Sequence, residues 1–331
     1  MNVFIDPAFY SYYQQHPIRL VDIGAGGGLQ GHWKDAEKYL QVIAFEPDER
    51  AFANLLREKT SKAKYFKTAL YKEKATINFH ITRKQGVSSI LVPNRALLDG
   101  FPEVERFDIL ETIKMKTDTL DNQLQQHQIG EVDFIKLDTQ GSELFILEGA
   151  ARTLNNVFGL EIEVEFLELY QGQPLFPDVH RFVMEFGFQL FDLKPCYWKR
   201  TAGKKYGKRQ GQIIFTDALY IREASIFENT LVRFEDDVLK KSQVLRAVSI
   251  CILYGYLDYA FEIFNRTSDL FNDSEIQLFK RHIERSIMLQ NKIPRFPGRD
   301  RIAFPLLYAL NIFKPSYNGW ATVKKVLGNL E

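Results

Sequence analysis

The chain has 331 residues, of which 45% are hydrophobic and 26% charged, a balance typical of a soluble globular protein. A formal net charge of +1 argues against bulk electrostatic binding of nucleic acid. No apolar run reaches the roughly 20 residues of a membrane span, and we expect no signal peptide at the N-terminus. The two cysteines, Cys196 and Cys251, are too few for a disulfide framework or a zinc site of their own. We therefore expect a cytoplasmic protein.

Short β-type runs alternate with helical patterns over the first two-thirds of the chain. The pattern predicts strands over 18–23, 41–45, 65–70, 75–81, 132–137, 160–166, 188–193 and 212–221. It predicts helices over 33–40, 51–58, 142–154 and 179–186. Alternation of this kind indicates an α/β fold with a doubly wound, mostly parallel sheet and helices on both faces. The last two strands fit a terminal antiparallel hairpin.

The pattern of apolar residues becomes helical after about residue 222, where we place a domain boundary. Residues 1–222 form the predicted α/β domain, and 223–331 form a helical C-terminal appendage. A helix is predicted over 273–291 from apolar positions at helical spacing. The appendage could pack on the first domain or on a second copy, which makes a homodimer possible.

A glycine-rich loop, within VDIGAGGGLQGHW at 21–33, follows the first predicted strand. Open parallel sheets bind ligands outside the carboxyl ends of their strands, and glycine lets a ligand touch the backbone. Dinucleotides and S-adenosylmethionine both require such a loop. In the dinucleotide pattern G-x-G-x-x-G, Gly24 and Gly26 fit but Leu29 takes the third glycine position. A register using Gly26, Gly28 and Gly31 fits only with two extra residues after the strand.

Acidic residues mark three strand ends around the same expected crevice. Asp22, two residues before the first glycine, suits an ammonium group better than a pyrophosphate. Glu46 follows the second strand, where its two oxygens could accept hydrogen bonds from both ribose hydroxyls, and Pro47 ends that strand. Asp138 ends a buried strand, where a carboxylate needs a partner or a ligand. Glu46 fits NAD and S-adenosylmethionine equally.

Candidates for acceptor chemistry come from GLEIEVEFLELY at 159–170, in which three glutamates alternate with apolar residues and so share one strand face. Glu163 and Glu165 lie nearest the strand end and could act as a general base; a peripheral strand with a wet face explains them equally well. Tyr170 and His180 are further acceptor-side candidates. A basic loop at 199–212, with Lys204 and Lys205, could meet an anionic acceptor or be an ordinary surface loop. No cluster has metal-ligand spacing, so we expect no metal.

Residues 18–222 resemble the FkbM family of S-adenosylmethionine-dependent methyltransferases. The resemblance rests on segments in the family's order: VDIGAGGG, FEPDE, KTALY, SSIL, TDTLD, DFIKLDTQGSE with ILEGA, EVEFLELYQGQPLF, GFQLFDL and DALYIR. It implies a seven-stranded class I methyltransferase fold, which is Rossmann-like, and O-methylation, often of sugars or natural products. The family usually has a glutamate where Gln140 stands, so a catalytic carboxylate at 140 is not expected.

The resemblance also assigns roles to residues of the predicted crevice. Asp22, Gly24, Ala25 and Gly26 would hold the methionine part of the cofactor. Glu46, with Pro47 beside it, would bind the ribose, and Asp48 and Ala69 would lie near the adenine. Asp138 would lie near the sulfonium or the acceptor.

We therefore predict an S-adenosylmethionine-dependent O-methyltransferase that acts on a hydroxyl of a sugar, glycoconjugate or related small molecule. Its expected partner is that small-molecule or glycan acceptor, not nucleic acid. Two alternatives remain open on the sequence. One is an NAD-linked oxidoreductase, favoured by the shifted glycine register and Glu46. The other is a non-catalytic Rossmann-like binding module whose helical appendage docks a partner.

Overall fold

The computed structural model describes residues 9–57, 63–203 and 210–290, together with 297–298, 301–302, 304–306, 308–309, 319–324 and 326–329. The strands, numbered in chain order, are β1 Ile18–Ile23, β2 Leu40–Phe45, β3 Lys64–Phe66, β4 Ala69–Leu70, β5 Thr76–Thr82, β6 Ile109–Asp118, β7 Phe134–Leu137, β8 Gly159–Glu165, β9 Phe188–Trp198, β10 Gln212–Arg222 and β11 Ala321–Val323. The α-helices are α1 Tyr10–Gln15, α2 Glu49–Arg57, α3 Arg95–Leu98, α4 Leu120–Gln126, α5 Glu143–Glu148, α6 Ala151–Leu154, α7 Phe176–Glu185, α8 Ala224–Thr230, α9 Asp237–Leu253, α10 Leu257–Arg266 and α11 Asp273–Gln290. Lys204 and Lys205 lie outside the described residues.

The central sheet has eight strands in the order β11-β9-β10-β8-β7-β1-β2-β3. Strands β8, β7, β1, β2 and β3 are parallel, whereas β10 and β9 form the predicted antiparallel hairpin against β8. Without β11, this is the seven-stranded class I methyltransferase arrangement, and the predicted fold class is confirmed. Strand β11 pairs with β9 and extends the sheet beyond the expected seven strands.

Two predicted elements are divided in the structure. The strand expected over 65–70 is split, because Phe66 pairs with Phe45 in the central sheet while Ala69 pairs with Thr117 in a separate sheet of order β4-β6-β5. The helix expected over 142–154 breaks into α5 and α6 at Gly149, where a side chain would lie 2.4 Å from the carbonyl oxygen of Tyr71. Both breaks depend on contacts with distant parts of the chain.

One face of the central sheet is mostly apolar. Its buried side chains, among them Val21, Ile135, Ile162 and Tyr220, pack against α5, α6 and α7 in one core cluster. Burial on this scale supplies most of the favourable free energy of folding, at roughly 25 cal/mol per Å² of apolar surface. Packing on this face holds the parallel strands in place, and the candidate site lies at their carboxyl ends.

The opposite face is covered by the C-terminal helices. Leu20 and Phe134 of the sheet share a second core cluster with helices α8 to α11 and with Phe9 and Tyr13 of the N-terminal segment. Tyr254 stacks on Phe134 with ring centroids 5.4 Å apart. Residues from both sides of the predicted boundary at 222 thus form one core, and the division into domains 1–222 and 223–331 stays a prediction.

Within the described residues, no helix combines the length and hydrophobicity needed to cross a membrane.

Candidate active site

A cavity of about 330 Å³ opens at the carboxyl ends of β1 and β2, a volume within the range of small-molecule sites. Its lining comes from the glycine loop, the end of β2, strand β4 and the turn after β7. Of the residues predicted to bind a cofactor, it is lined by Gly24, Gly26, Glu46, Pro47, Asp48, Ala69 and Asp138. Phe79, Ile90 and Ile146 add an apolar wall. Residues as far apart in sequence as Gly24 and Ile146 therefore meet around one cavity.

The glycine loop leaves β1 through a left-handed turn at Gly24, whose φ is +77°. A β-carbon at this position would lie 1.9 Å from the carbonyl oxygen of Asp138, so the two strand ends approach as closely as only glycine allows. Residues Ala25–Gly27 then form a short 3₁₀ turn, in which Ala25 is buried under the loop and does not line the cavity. Gly26 and Gly27 present bare backbone to the cavity.

Glu46 lies at the end of β2 with only 7% of its surface exposed. Its Oε1 accepts a hydrogen bond from the backbone N–H of Asp48 at 2.9 Å, which orients the carboxylate towards the glycine loop. Burial raises the pKa of Glu46 to about 7. Asp48 in turn is held by Arg50, whose Nη2 lies 2.6 Å from Asp48 Oδ2. The carboxylate of Glu46 thus has a fixed position in the cavity wall and can accept hydrogen bonds from a diol.

Asp22 is buried below the cavity and does not line it. The ammonium group of Lys136 lies 3.6 Å from Asp22 Oδ1 and 3.5 Å from Asp138 Oδ2. Burial alone would lower the pKa of Lys136, but the carboxylates of Asp22 and Asp138 raise it above its usual value, so this lysine is charged. Asp22 is therefore already paired with a cation of the protein, the ammonium group of Lys136. The predicted contact of Asp22 with a cofactor ammonium stays a prediction.

Gln140 connects the cavity to the predicted acceptor side. Its Nε2 donates to Asp138 Oδ1 at 3.0 Å and to Glu163 Oε1 at 2.7 Å, and its Oε1 is 3.1 Å from the hydroxyl of Tyr170. Gln140 has a left-handed backbone conformation, with φ of +60°, that a residue other than glycine rarely adopts. One amide thereby holds two carboxylates in fixed positions at the edge of the cavity.

The remaining predicted residues differ in how accessible they are. Glu163 is half-buried, and Glu165 is 1% exposed. Tyr170 is fully buried, and its hydroxyl lies within hydrogen-bond distance of the Val87 carbonyl and of Gln140. His180 lies on α7 and packs beside Tyr220, on the sheet face opposite to the glutamates. Of this group, Glu163 and Tyr170 are joined to the cavity through their contacts with Gln140.

Sequence reasoning missed Lys136, the bridging role of Gln140, and the ion pair between Lys194 and Asp217 at 2.7 Å. A signal for Lys136 was present, because a charged residue inside a buried strand needs partners on neighbouring strands. Nothing local indicated Asp217 and Lys194, because their neighbours come from strand pairing. In the part of the chain that the structure describes, no group of three or more His, Cys, Asp or Glu side chains is arranged to hold a metal ion.

A class I methyltransferase sheet, with a glycine loop and the buried carboxylate of Glu46 at its first crevice, defines the class of protein, an enzyme that binds a nucleoside cofactor. The sequence model of the methyltransferase FkbM domain matches residues 22–190, just over half of the chain. The chain belongs to this family and is an S-adenosylmethionine-dependent methyltransferase. The family match argues against both alternative interpretations, the NAD-linked oxidoreductase and the non-catalytic binding module.

Comparison with solved structures gave distant similarities. A TehB-like SAM-dependent methyltransferase from Corynebacterium glutamicum is 10% identical, covers 65% of this chain and 88% of its own, and has a TM-score of 0.29. The N-terminal domain of EvdMO1 with SAH bound is 8% identical, with coverages of 67% and 81% and a TM-score of 0.30. TrmK from M. capricolum in complex with S-adenosyl-homocysteine is 8% identical, with coverages of 85% and 98% and a TM-score of 0.28. Among curated proteins, none matches this chain.

The residues around the cavity fit S-adenosylmethionine. A β-carbon on Gly26 would lie 3.0 Å from Glu46 Oε2 and 3.1 Å from the β-carbon of Ala51, so a side chain there would crowd the Glu46 carboxylate. The buried Glu46 carboxylate suits a ribose diol, and the apolar wall containing Phe79 and Ile146 suits a purine ring. The bare backbone of Gly26 and Gly27 leaves room for the amino-acid part.

Proposed function

We propose that this methyltransferase transfers a methyl group to a hydroxyl oxygen of a sugar, glycoconjugate or related small molecule. The observation that carries the proposal is the pair of carboxylates, Asp138 and Glu163, that Gln140 fixes at the edge of the cofactor cavity. Hydroxyl groups donate hydrogen bonds to carboxylates, and a hydroxyl acceptor needs a base to take its proton.

The proposal gives each residue of the cavity a role. Glu46 would hold the ribose, Asp48 and Ala69 would flank the adenine, and Gly26 and Gly27 would leave space for the methionine part. S-adenosylmethionine supplies an electrophilic methyl group on a positively charged sulfur. Asp138, which lines the cavity, would accept a hydrogen bond from the acceptor and align its oxygen, a positioning effect worth up to roughly 7–11 kcal/mol in ideal cases.

Glu163 is the proposed base. Burial raises the pKa of Glu163, and the nearby charges of Asp138 and Glu165 raise it further, which makes the carboxylate a stronger base than an exposed glutamate. Glu163 would take the proton of the acceptor hydroxyl as the acceptor oxygen replaces sulfur on the methyl carbon, and S-adenosylhomocysteine would be the leaving group. Glu165, buried deeper on the same strand, contributes its charge to the pKa of Glu163.

The test is transfer of a labelled methyl group from S-adenosylmethionine to a panel of sugars and glycans. We expect Glu163→Gln to lower kcat by about 100-fold or more, because general bases contribute roughly that factor, while affinity for S-adenosylhomocysteine is unchanged. Glu168→Gln, at an exposed position near the same strand, is the matched control. Methylation of amines or carbon acceptors only, with every sugar inactive, would overturn the proposal.

The proposal extends to partners and location. A small-molecule or glycan acceptor, rather than nucleic acid, is supported by the net charge of +1. A homodimer through the C-terminal helices is supported by exposed apolar side chains there, among them Val238 at 45% and Phe261 at 40% exposure. Light scattering of the purified protein tests the dimer. A cytoplasmic location is supported by the low cysteine content and is tested by fractionation.

A further inference from the structure

A row of charged side chains crosses four strands of the central sheet, beginning at the cofactor cavity. Asp217 of β10 pairs with Glu163 of β8 on one side and with Lys194 of β9 on the other. Lys136 pairs with Glu161, so Asp138 and Glu163, each two residues further on, lie level on the same face. We call Asp138, Glu163, Asp217 and Lys194 the charged row. At about 4.8 Å per strand it spans about 14 Å.

The side chains of the charged row are partly exposed. The exposed fractions of the side chains are 38% for Asp138, 20% for Asp217 and 23% for Lys194, and Glu163 is half-buried. Within the described residues, no hydrogen bond engages Glu163 Oε2 or Asp217 Oδ1. The row therefore offers hydrogen-bond acceptors along a line that leads away from the methyl-donor cavity.

Two lysines, Lys194 within the row and Lys136 beside it, are already paired with carboxylates. Lys194 Nζ lies 2.7 Å from Asp217 Oδ2, and Lys136 contacts both Asp22 and Asp138. Burial and the nearby Lys194 lower the pKa of His32 to about 4, so this imidazole is neutral at physiological pH. Among the described residues, the two ammonium groups that contact the row's carboxylates are thus already paired, so an anionic group placed over the row would meet mainly carboxylate oxygens.

We propose that the charged row is the floor of the acceptor site and that it selects neutral polyhydroxylated acceptors over anionic ones. The inference rests on the proposed function and adds Asp217 and Lys194 to the acceptor site. A sugar hydroxyl next to Asp138 and Glu163 lies beside the methyl donor, while further hydroxyls of the same acceptor donate to Asp217. Like-charge repulsion in a partly buried site excludes phosphorylated and carboxylated sugars.

The test measures binding rather than turnover. Methyl glycosides of neutral hexoses and 6-deoxyhexoses, and their uronic acid and phosphate counterparts, are compared by saturation-transfer NMR with the protein saturated with S-adenosylhomocysteine. We expect neutral glycosides to bind at least tenfold more tightly than their anionic counterparts. Equal binding, or a preference for the anionic sugars, would overturn the inference.

The decisive variant is Asp217→Asn, which removes one charge and leaves the Lys194 ammonium without its carboxylate. We expect neutral glycosides to bind five- to tenfold more weakly and anionic ones more tightly, so that the discrimination shrinks or reverses. Asp192→Asn is the matched control, because Asp192 lies two residues before Lys194 on the same strand and contacts Lys324 instead. An Asp217→Asn protein with wild-type discrimination would show that the row has only a structural role.

Failure of this inference is distinguishable from failure of the proposed function. If only anionic sugars of the same panel are methylated, the proposed sugar O-methylation is supported. The inference that the charged row selects neutral acceptors is then wrong. If no glycoside binds and none is methylated, both the sugar acceptor and the row as its floor are wrong.

Discussion

At the scale of single residues, the site depends on carboxylates kept in partly buried surroundings. Glu46, Asp138 and Glu163 each have a fixed hydrogen-bond partner, from Asp48 or from Gln140. A fixed carboxylate loses less conformational entropy when a ligand binds, and partial burial strengthens its hydrogen bonds. Substitutions that keep shape and remove charge therefore report on function with little change in packing.

Glu46→Gln should weaken binding of S-adenosylhomocysteine by about tenfold, since a hydrogen bond to a charged acceptor contributes roughly 1.5 kcal/mol. Titration calorimetry measures the change. Glu49→Gln, at the start of α2 and exposed, serves as the control and should bind as the wild type does. An unchanged affinity in Glu46→Gln would remove this residue from the ribose site.

The pKa of Glu46, raised by burial to about 7, gives binding a pH dependence. The ionised carboxylate accepts stronger hydrogen bonds, so affinity for S-adenosylhomocysteine should rise several-fold from pH 6 to pH 8. Stability follows the opposite sign in the free protein. Folding raises the pKa of Glu46 above its ordinary value of 4.5, so the contribution of this residue to the free energy of unfolding is complete below pH 4.5. This contribution is lost as the pH rises through 7. In Glu46→Gln, both the affinity for S-adenosylhomocysteine and the free energy of unfolding should depend less on pH. If the variant shows the same pH dependence as the wild type, another group is responsible for it.

At the scale of elements, strand ends and the turns after them create the cavity. The parallel strands were predicted from short apolar runs with errors of a few residues, because a buried strand leaves a strong local pattern. The turn after β7 was not predictable in detail. Glu143, the first residue of α5, accepts hydrogen bonds from the backbone N–H groups of Thr139 and Gly141. Ser142 makes no capping hydrogen bond and donates to the Thr139 hydroxyl.

Gly24→Ala should destabilise the protein by about 3 kcal/mol or more. The left-handed φ costs about 1 kcal/mol, and the new β-carbon collides with the Asp138 carbonyl, forcing a backbone shift. Gly27→Ala is the matched control, because no atom lies within 4 Å of its added β-carbon. Denaturant unfolding compares them. Equal stability of the two variants would contradict the close approach of the two strand ends.

At the scale of the whole molecule, the C-terminal helices complete the fold by covering one face of the sheet. The buried ion pair of Arg246 on α9 with Asp133 before β7, at 2.9 Å, joins segments 113 positions apart. Tyr254 reaches the sheet as well, and its hydroxyl donates to Glu161 at 2.8 Å, directly below the charged row. The helices thus support the floor of the proposed acceptor site.

Arg246→Met should lower the free energy of unfolding by about 3–5 kcal/mol, because it leaves the carboxylate of Asp133 buried without its cation. Arg266→Met, which removes a 42%-exposed guanidinium from ion pairs on the surface of α10, should change it by less than about 1 kcal/mol. Urea unfolding followed by tryptophan fluorescence measures both. A small effect of Arg246→Met would indicate that the helices are held by apolar packing alone.

The sequence by itself determined the parallel strands, the glycine loop and the acidic residues at the strand ends, because these are local patterns of hydrophobicity and backbone freedom. It also carried the segments that identify the family. Only the tertiary structure decided that Lys136 pairs with Asp22 and Asp138, that Gln140 joins two carboxylates, and that Asp217 and Lys194 extend the row. Strand pairing places these residues together, and the register of distant strands has no signature in any one of them.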